Sequence, residues 1–207
     1  EHWAKGWQTA DEYLSGNVRQ KLRTAQRVAA RDPFFAGNVD ALIAAQPKDL
    51  EASEIEVRLG ATWFDKKYIE QFMYETFETP RYLRGQIEIS YVPYTAEWQV
   101  SRKSMVRYND VAAFTTYGTD RASAYRLLED ALNLRDIRIY DTIEDADGRE
   151  RRVLNAKETT LAAQKQQLIR DAFKDWIWKD PERRETLVRQ YNEEMNSTRP
   201  REYDGSH

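Results

Sequence analysis

Leu14, Val18, Leu22, Ala25 and Ala29 recur at helical spacing, and Thr9 or Asp11 can cap their start. The pattern predicts a helix to about Arg31, stopped by Asp32-Pro33, with Gly16 as its weak point. A short helix around 39–45 ends before Pro47. Ile55, Val57 and Leu59 then alternate with Glu56 and Arg58, the period of a half-buried strand, which Gly60 ends. Asp65 caps a helix to about Phe77, with Tyr68, Phe72 and Phe77 among its apolar positions, and Pro80 closes it. Residues 86–92 and 97–101 read as a hairpin connected through Pro93-Tyr94-Thr95.

A similar order follows. The apolar run 112–116 leads through Tyr117-Gly118-Thr119-Asp120 to a helix ending near Leu132. Residues 136–143 and 149–154 form a second hairpin, turning at Asp145-Ala146-Asp147-Gly148. Strand, helix and hairpin thus occur near 55–101 and again near 112–154. Residue identity between the halves is poor, so a duplication and two unrelated α+β units of like order both fit. Asn155 caps a long helix to about Trp178, with Leu161, Leu168, Ala172, Phe173 and Trp176 as its apolar stripe. Asp180-Pro181 starts a last helix, with Leu187, Val188, Tyr191 and Met195 on its buried side. The tail after Asn196 reads as extended. The predicted class is α+β: helix-rich, with short strands and two hairpins flanked by N- and C-terminal helices. Its expected organisation is a helical arm (1–47), an α+β core (48–154), and C-terminal helices with a connector (155–207).

Composition narrows the function classes. A chain of 207 residues, 41% hydrophobic with 12 Tyr, 7 Phe and 6 Trp, can bury a core. No apolar run approaches the ~20 residues that span a bilayer, and residues 1–20 lack an apolar signal region, so a cytoplasmic location is expected. Without cysteine there is no thiol nucleophile, thiolate metal site or disulfide. Asn196-Ser197-Thr198 matches a glycosylation sequon by chance. A net charge of −3 argues against a wholly basic surface but allows a local basic stripe.

Catalytic constellations are hard to assemble. The two histidines stand at positions 2 and 207, so no Ser-His-acid or histidine-metal site is expected in the core. There is no phosphate-binding loop and no Gly-rich dinucleotide turn. Aligning Gly148 with the invariant glycine of a calcium loop puts Ile143 and Leu154 at its ends, and neither can ligate calcium. Asp49, Glu54, Glu56 and Arg58 resemble a nuclease's acids too weakly to count. No catalytic, cofactor or metal residue is assigned.

Binding is easier to place. Arg19, Arg23, Arg27 and Arg31 repeat every fourth residue with Lys21 alongside, a row that could track phosphates or be a solvated face. The first hairpin carries Tyr91, Tyr94 and Trp98, flanked by Arg81, Arg84, Arg102, Lys103 and Arg107. Tyr94 and Trp98 are candidates to stack bases of a single strand, although such aromatics also serve as cross-strand pairs. Trp176 and Trp178 point to different faces of a helix, as candidates for packing against the core and a neighbouring domain.

Several phrases together carry a resemblance. They are Thr-Ala-Asp-Glu-Tyr-Leu-Ser-Gly-Asn-Val-Arg-Gln-Lys-Leu (9–22), Arg-Leu-Gly-Ala-Thr-Trp-Phe (58–64) and Tyr-Gly-Thr-Asp-Arg-Ala-Ser-Ala (117–124). Asn-Ala-Lys-Glu-Thr-Thr (155–160), Phe-Lys-Asp-Trp-Ile-Trp (173–178) and the closing Tyr-Asn-Glu-Glu-Met-Asn-Ser-Thr-Arg-Pro-Arg-Glu-Tyr-Asp-Gly-Ser-His (191–207) complete the set. In order and over nearly the whole chain, they resemble the inter-domain region of large bacterial phage and mobile-element proteins. Those proteins fuse an N6-adenine DNA methylase to a superfamily 2, SNF2-like DNA helicase. The chain starts without Met and ends in a Pro- and Gly-containing stretch, which fits a piece of such a protein. The resemblance implies a parent using S-adenosylmethionine and ATP with Mg, and neighbouring methylase and helicase domains as partners. It carries over no catalytic residue and no cofactor to this segment. The expectation is a non-catalytic accessory domain that engages or orients DNA; the alternative is a structural connector without DNA contact.

Overall fold

A computed structural model describes residues 8–202; His2, His207 and the end of the tail lie outside them. The fold is α+β, with helices and two-stranded antiparallel sheets. The chain forms two compact units, Glu1–Ile55 with Glu185–His207, and Glu56–Arg184.

In the first unit the expected helix from Thr9 to Arg31 is broken. α1 (Ala10–Tyr13) is followed by β1 (Gly16–Asn17), and α2 (Val18–Ala29) starts afresh. Gly16 takes φ +68°, which favours glycine. The Asn17 side chain accepts from the Gln20 N–H at 2.9 Å and caps α2. A 3₁₀ turn (Pro33–Phe35) leads into α3 (Ala36–Ala44). Val18, Ala25 and Leu42 are buried together, with Tyr13, Leu14, Leu22 and Val39 packed around them. The expected apolar face of α2 is therefore real. The tail has a partner: β6 (Thr198–Arg199) pairs antiparallel with β1, Gly16 opposite Arg199.

The second unit corrects both expected leading strands. Val57 and Leu59 are buried between exposed Glu56 and Arg58, as the alternation implies. No strand among the described residues pairs with this segment, which bends at Ile55 and turns at Leu59-Gly60. Residues 112–116 form a π-helical turn, closed by the Tyr117 N–H on the Ala112 carbonyl at 3.0 Å. What recurs is helix followed by hairpin. α4 (Lys66–Thr76), capped by Asp65, precedes β2 (Ile89–Val92) and β3 (Glu97–Val100). α5 (Ala124–Leu132), capped by Ser123, precedes β4 (Tyr140–Glu144) and β5 (Glu150–Leu154). Each helix is preceded by a glycine pressed against backbone: a Cβ on Gly60 would overlap the Leu132 carbonyl, and one on Gly118 the Ala113 carbonyl. Each helix ends on a non-glycine residue in the left-handed region, Glu78 (φ 49°) and Leu134 (φ 57°).

α6 (Ala156–Lys179) starts at the expected Asn155 cap but buries a different stripe. Ala162, Gln166, Ile169, Phe173 and Ile177 face inward. Leu161 and Leu168, expected inside, are 42% and 43% exposed. The inward stripe tolerates a glutamine because Gln166 Nε2 donates to the Arg135 carbonyl at 2.9 Å. α7 (Pro181–Glu194) is capped by Asp180, which accepts from the Arg183 N–H at 2.7 Å. Leu187 and Asn192 are buried on it; Met195, expected to be buried, is exposed. No helix among the described residues is long and apolar enough to cross a membrane.

Candidate nucleic-acid interface

The first hairpin is held at both edges by helix side chains. On β2, the Ile89 N–H donates to Glu70 Oε1 and Lys66 Nζ donates to the Ile89 carbonyl, both at 2.8 Å. On β3, Asn133 accepts from the Trp98 N–H and donates to its carbonyl, each at 2.8 Å. Glu129 accepts from the Val100 N–H at 2.7 Å. A two-stranded sheet is marginal alone; here α4 and α5 supply the missing edge partners and fix its position.

At the hairpin's root two loops meet. Ser101 donates its N–H to the Glu88 carbonyl at 2.9 Å, and its hydroxyl donates to the Gln86 carbonyl at 3.2 Å. The turn through Arg81–Ile87 is tied by the Leu83 and Arg84 N–H groups on the Pro80 carbonyl. The segment after Ser101 turns at Arg102, where the Met105 N–H closes on the Arg102 carbonyl at 3.0 Å. It turns again at Arg107, whose carbonyl accepts from the Asp110 N–H at 3.0 Å. Arg81, Arg102 and Arg107 are exposed, and their guanidinium groups have no partner among the described residues.

The other basic candidates divide sharply. Arg19 is a brace: Nε donates to the Asn196 carbonyl at 2.9 Å, and the guanidinium pairs with Asp49. Its side chain is only 16% exposed. Lys21 donates to the carbonyls of Glu12, Tyr13 and Ser15 at 2.8–3.0 Å, which closes the end of α1. Arg23 pairs with Glu193 at 3.2 Å on the surface, Arg27 donates to Thr24 Oγ1 at 3.3 Å, and Arg31 is exposed. Of the expected row, only Arg23, Arg27 and Arg31 face solvent. Arg84 donates to the Thr79 and Tyr74 carbonyls and satisfies the end of α4. Lys103 pairs with Glu129 at 2.6 Å.

The aromatic candidates divide as well. Trp98 is 5% exposed, its ring 4.9 Å from Tyr91, so it is core and has no face for a base. Tyr94 is 98% exposed, but at the hairpin's tip, away from the arginines at the root. Trp176 packs on Phe72 and Phe173, donates to Glu75 at 2.7 Å, and has Arg183 stacked 3.6 Å over its ring. Arg183 also donates to the Trp176 and Ile177 carbonyls, binding the corner between α6 and α7. Trp178 is half-exposed.

Two exposed aromatics stand outside the expected set: Tyr82, 61% exposed on the loop before the first hairpin, and Tyr108, 83% exposed on the segment after it. The available signal was a repeated dipeptide, Arg81-Tyr82 and Arg107-Tyr108.

Two of the acids near residue 55 serve internal contacts. Asp49 holds Arg19, and Glu54 accepts from the Glu51 N–H at 2.9 Å. A cleft of about 300 Å³ in the first unit is lined by Arg19, Asp49, Glu185, Val188, Arg189, Asn192 and Glu193. Asn192 in its wall is committed to the Leu50 backbone. No group of His, Asp or Glu among the described residues could hold a metal ion. In the second unit Tyr125 is fully buried, and burial pushes its phenol up to about 12, against the hydrogen bond it shares with Thr79. Its hydroxyl lies 2.7 Å from Thr79 Oγ1. This is a core contact rather than an acid–base pair.

No curated protein and no solved structure matches the chain. A family model described as a domain of unknown function (DUF8437) matches residues 58–197, well over half of the sequence. That span contains both helix–hairpin units, the arginines beside the first hairpin and all of α7. The chain belongs to the DUF8437 family of domains.

Proposed function

We propose that this chain is a non-catalytic, cytoplasmic DNA-engaging domain, whose contact face is the root of the first hairpin. The observation that supports the reading is the set of three exposed arginines, Arg81, Arg102 and Arg107, on the loops entering and leaving the first hairpin, with no guanidinium partner among the described residues. An arginine without a carboxylate partner offers its five donors to phosphate in a planar fork. Contacts of this kind position a protein on DNA without reading sequence. The resemblance to the region between a DNA methylase and a helicase supports the choice of DNA over other polyanions. On this reading S-adenosylmethionine and ATP with Mg serve the neighbouring domains, which are also its partners.

Titration of fluorescently labelled DNA with the 207-residue chain, followed by anisotropy at low and physiological salt, tests this. Binding should weaken steeply with salt. Arg81→Glu/Arg102→Glu/Arg107→Glu should abolish it, while Arg23→Glu/Arg27→Glu/Arg31→Glu should leave most of it. The reverse pattern would move the face to α2.

A second reading has its own observation. Arg19, Lys21, Arg84, Lys103 and Trp98 all serve internal contacts. A structural connector would need those contacts and none at the hairpin's root. It would be indifferent to both charge-reversal triples.

A further inference from the structure

Two exposed tyrosines accompany the unpaired arginines. Tyr82 directly follows Arg81, and Tyr108 directly follows Arg107. Tyr82 is fixed by its turn, where Gln86 Nε2 donates to its carbonyl at 2.6 Å. The Tyr108 ring lies 5.0 Å from that of Phe114, tilted by 34°, so the ring is braced by that contact while the residue is 83% exposed. Ser101 ties the two loops together at the hairpin's root through its bonds to Gln86 and Glu88.

We infer that the root of the first hairpin prefers single-stranded over duplex DNA, with Tyr82 and Tyr108 stacking on bases while Arg81, Arg102 and Arg107 hold phosphates. The inference rests on the DNA reading above. Duplex DNA keeps its base faces inside its own stack and offers a surface protein mainly phosphates. Arginines alone would suit that surface, and exposed tyrosine rings would gain nothing from it. A single strand offers both groups, phosphates along one edge and open base faces along the other. Each loop sets one Tyr directly after one Arg, a cation for a phosphate beside a ring for a base. Tyr94 is outside this set, because the strand from Ser101 to the hairpin tip spans roughly 13 Å or more at about 3.3 Å per residue.

Labelled oligo-dT and a labelled duplex of similar length, titrated separately with the 207-residue chain, provide the test. The expected result is single-strand affinity at least tenfold above duplex affinity. Tyr82→Ala/Tyr108→Ala should lower single-strand affinity by on the order of tenfold or more and leave duplex affinity unchanged. Tyr82→Phe/Tyr108→Phe should retain it, since the stacking face survives. A urea midpoint for each variant, matched to the parent, separates lost binding from lost folding. Equal affinity for both probes, unmoved by the alanines but abolished by the arginine triple, would overturn the stacking inference and leave the DNA face standing. No binding of either probe at low salt would overturn both.

Discussion

Asn133 accepts from and donates to the backbone of Trp98, and Asn192 does the same to Leu50, at 2.8–2.9 Å throughout. A carboxamide has the donor and acceptor spacing of a peptide group, so each asparagine replaces one residue of a neighbouring strand. Removing such a partner leaves buried backbone groups unsatisfied, at about 1–3 kcal/mol each. Asn133→Ala should therefore destabilise by about 2–4 kcal/mol, read as a lowered urea midpoint. Tyr125 and Thr79 form the other enclosed polar contact. The buried phenol, near 12, lies above the ordinary tyrosine value of about 10. A raised folded value means the contribution is complete below pH 10 and is lost as pH rises from 10 towards 12. Thermal melts from pH 8 to 12 should show the parent losing about 1.4 kcal/mol per pH unit more than Tyr125→Phe in that window. At pH 7 the same variant should cost about 1 kcal/mol for the missing hydrogen bond. Leu134 adopts φ 57° and is 64% exposed at the end of α5. Its conformation suits glycine, so Leu134→Gly should stabilise by about 1 kcal/mol, seen as a rise in Tm.

The two hairpins have the same construction and opposite surroundings. Both edges of the first are covered by Lys66, Glu70, Glu129 and Asn133. The second is tied only at its base, where Arg121 donates to Asp141 and to the Tyr140 carbonyl, and Asn155 donates to Asp141. Those two donors, Arg121 first, hold the Asp141 carboxyl below its ordinary value. Beyond Asp141 every residue through Leu154 is exposed. Replacing residues 144–150 by Asn-Gly should change stability by less than about 0.5 kcal/mol in urea unfolding. Equivalent shortening through Trp98 should unfold the second unit.

Local chemistry made much of this legible. Asp65, Asn155 and Asp180 cap where they should, and both hairpins turn at the expected residues, because cap and turn preferences act within a few residues. Distant partners were not legible. The alternation at 55–59 marks burial correctly, but a strand also needs a neighbour, and the described residues supply none. Gln166 could be placed inside only by knowing that the Arg135 carbonyl awaited it. At the candidate site, charge alone could not separate Arg19, which braces Asn196 and Asp49, from Arg81, whose guanidinium has no partner among the described residues.

Across the whole molecule the net charge is −3, so any hold on DNA must come from a local face and be sensitive to salt. Lys21, Arg84 and Lys103 are tied internally, which leaves Arg23, Arg27 and Arg31 on and just after α2 and Arg81, Arg102 and Arg107 beside the first hairpin as the solvent-facing basic candidates. The salt dependence of single-strand affinity tests the hairpin face most directly, measured for the parent and for Arg81→Glu/Arg102→Glu/Arg107→Glu. Each phosphate contact contributes about −0.7 to the slope of log affinity against log salt on a single strand. The variant's slope should be shallower by about 2, or its binding lost altogether. A parent that binds with the same slope and affinity as the variant would contradict it.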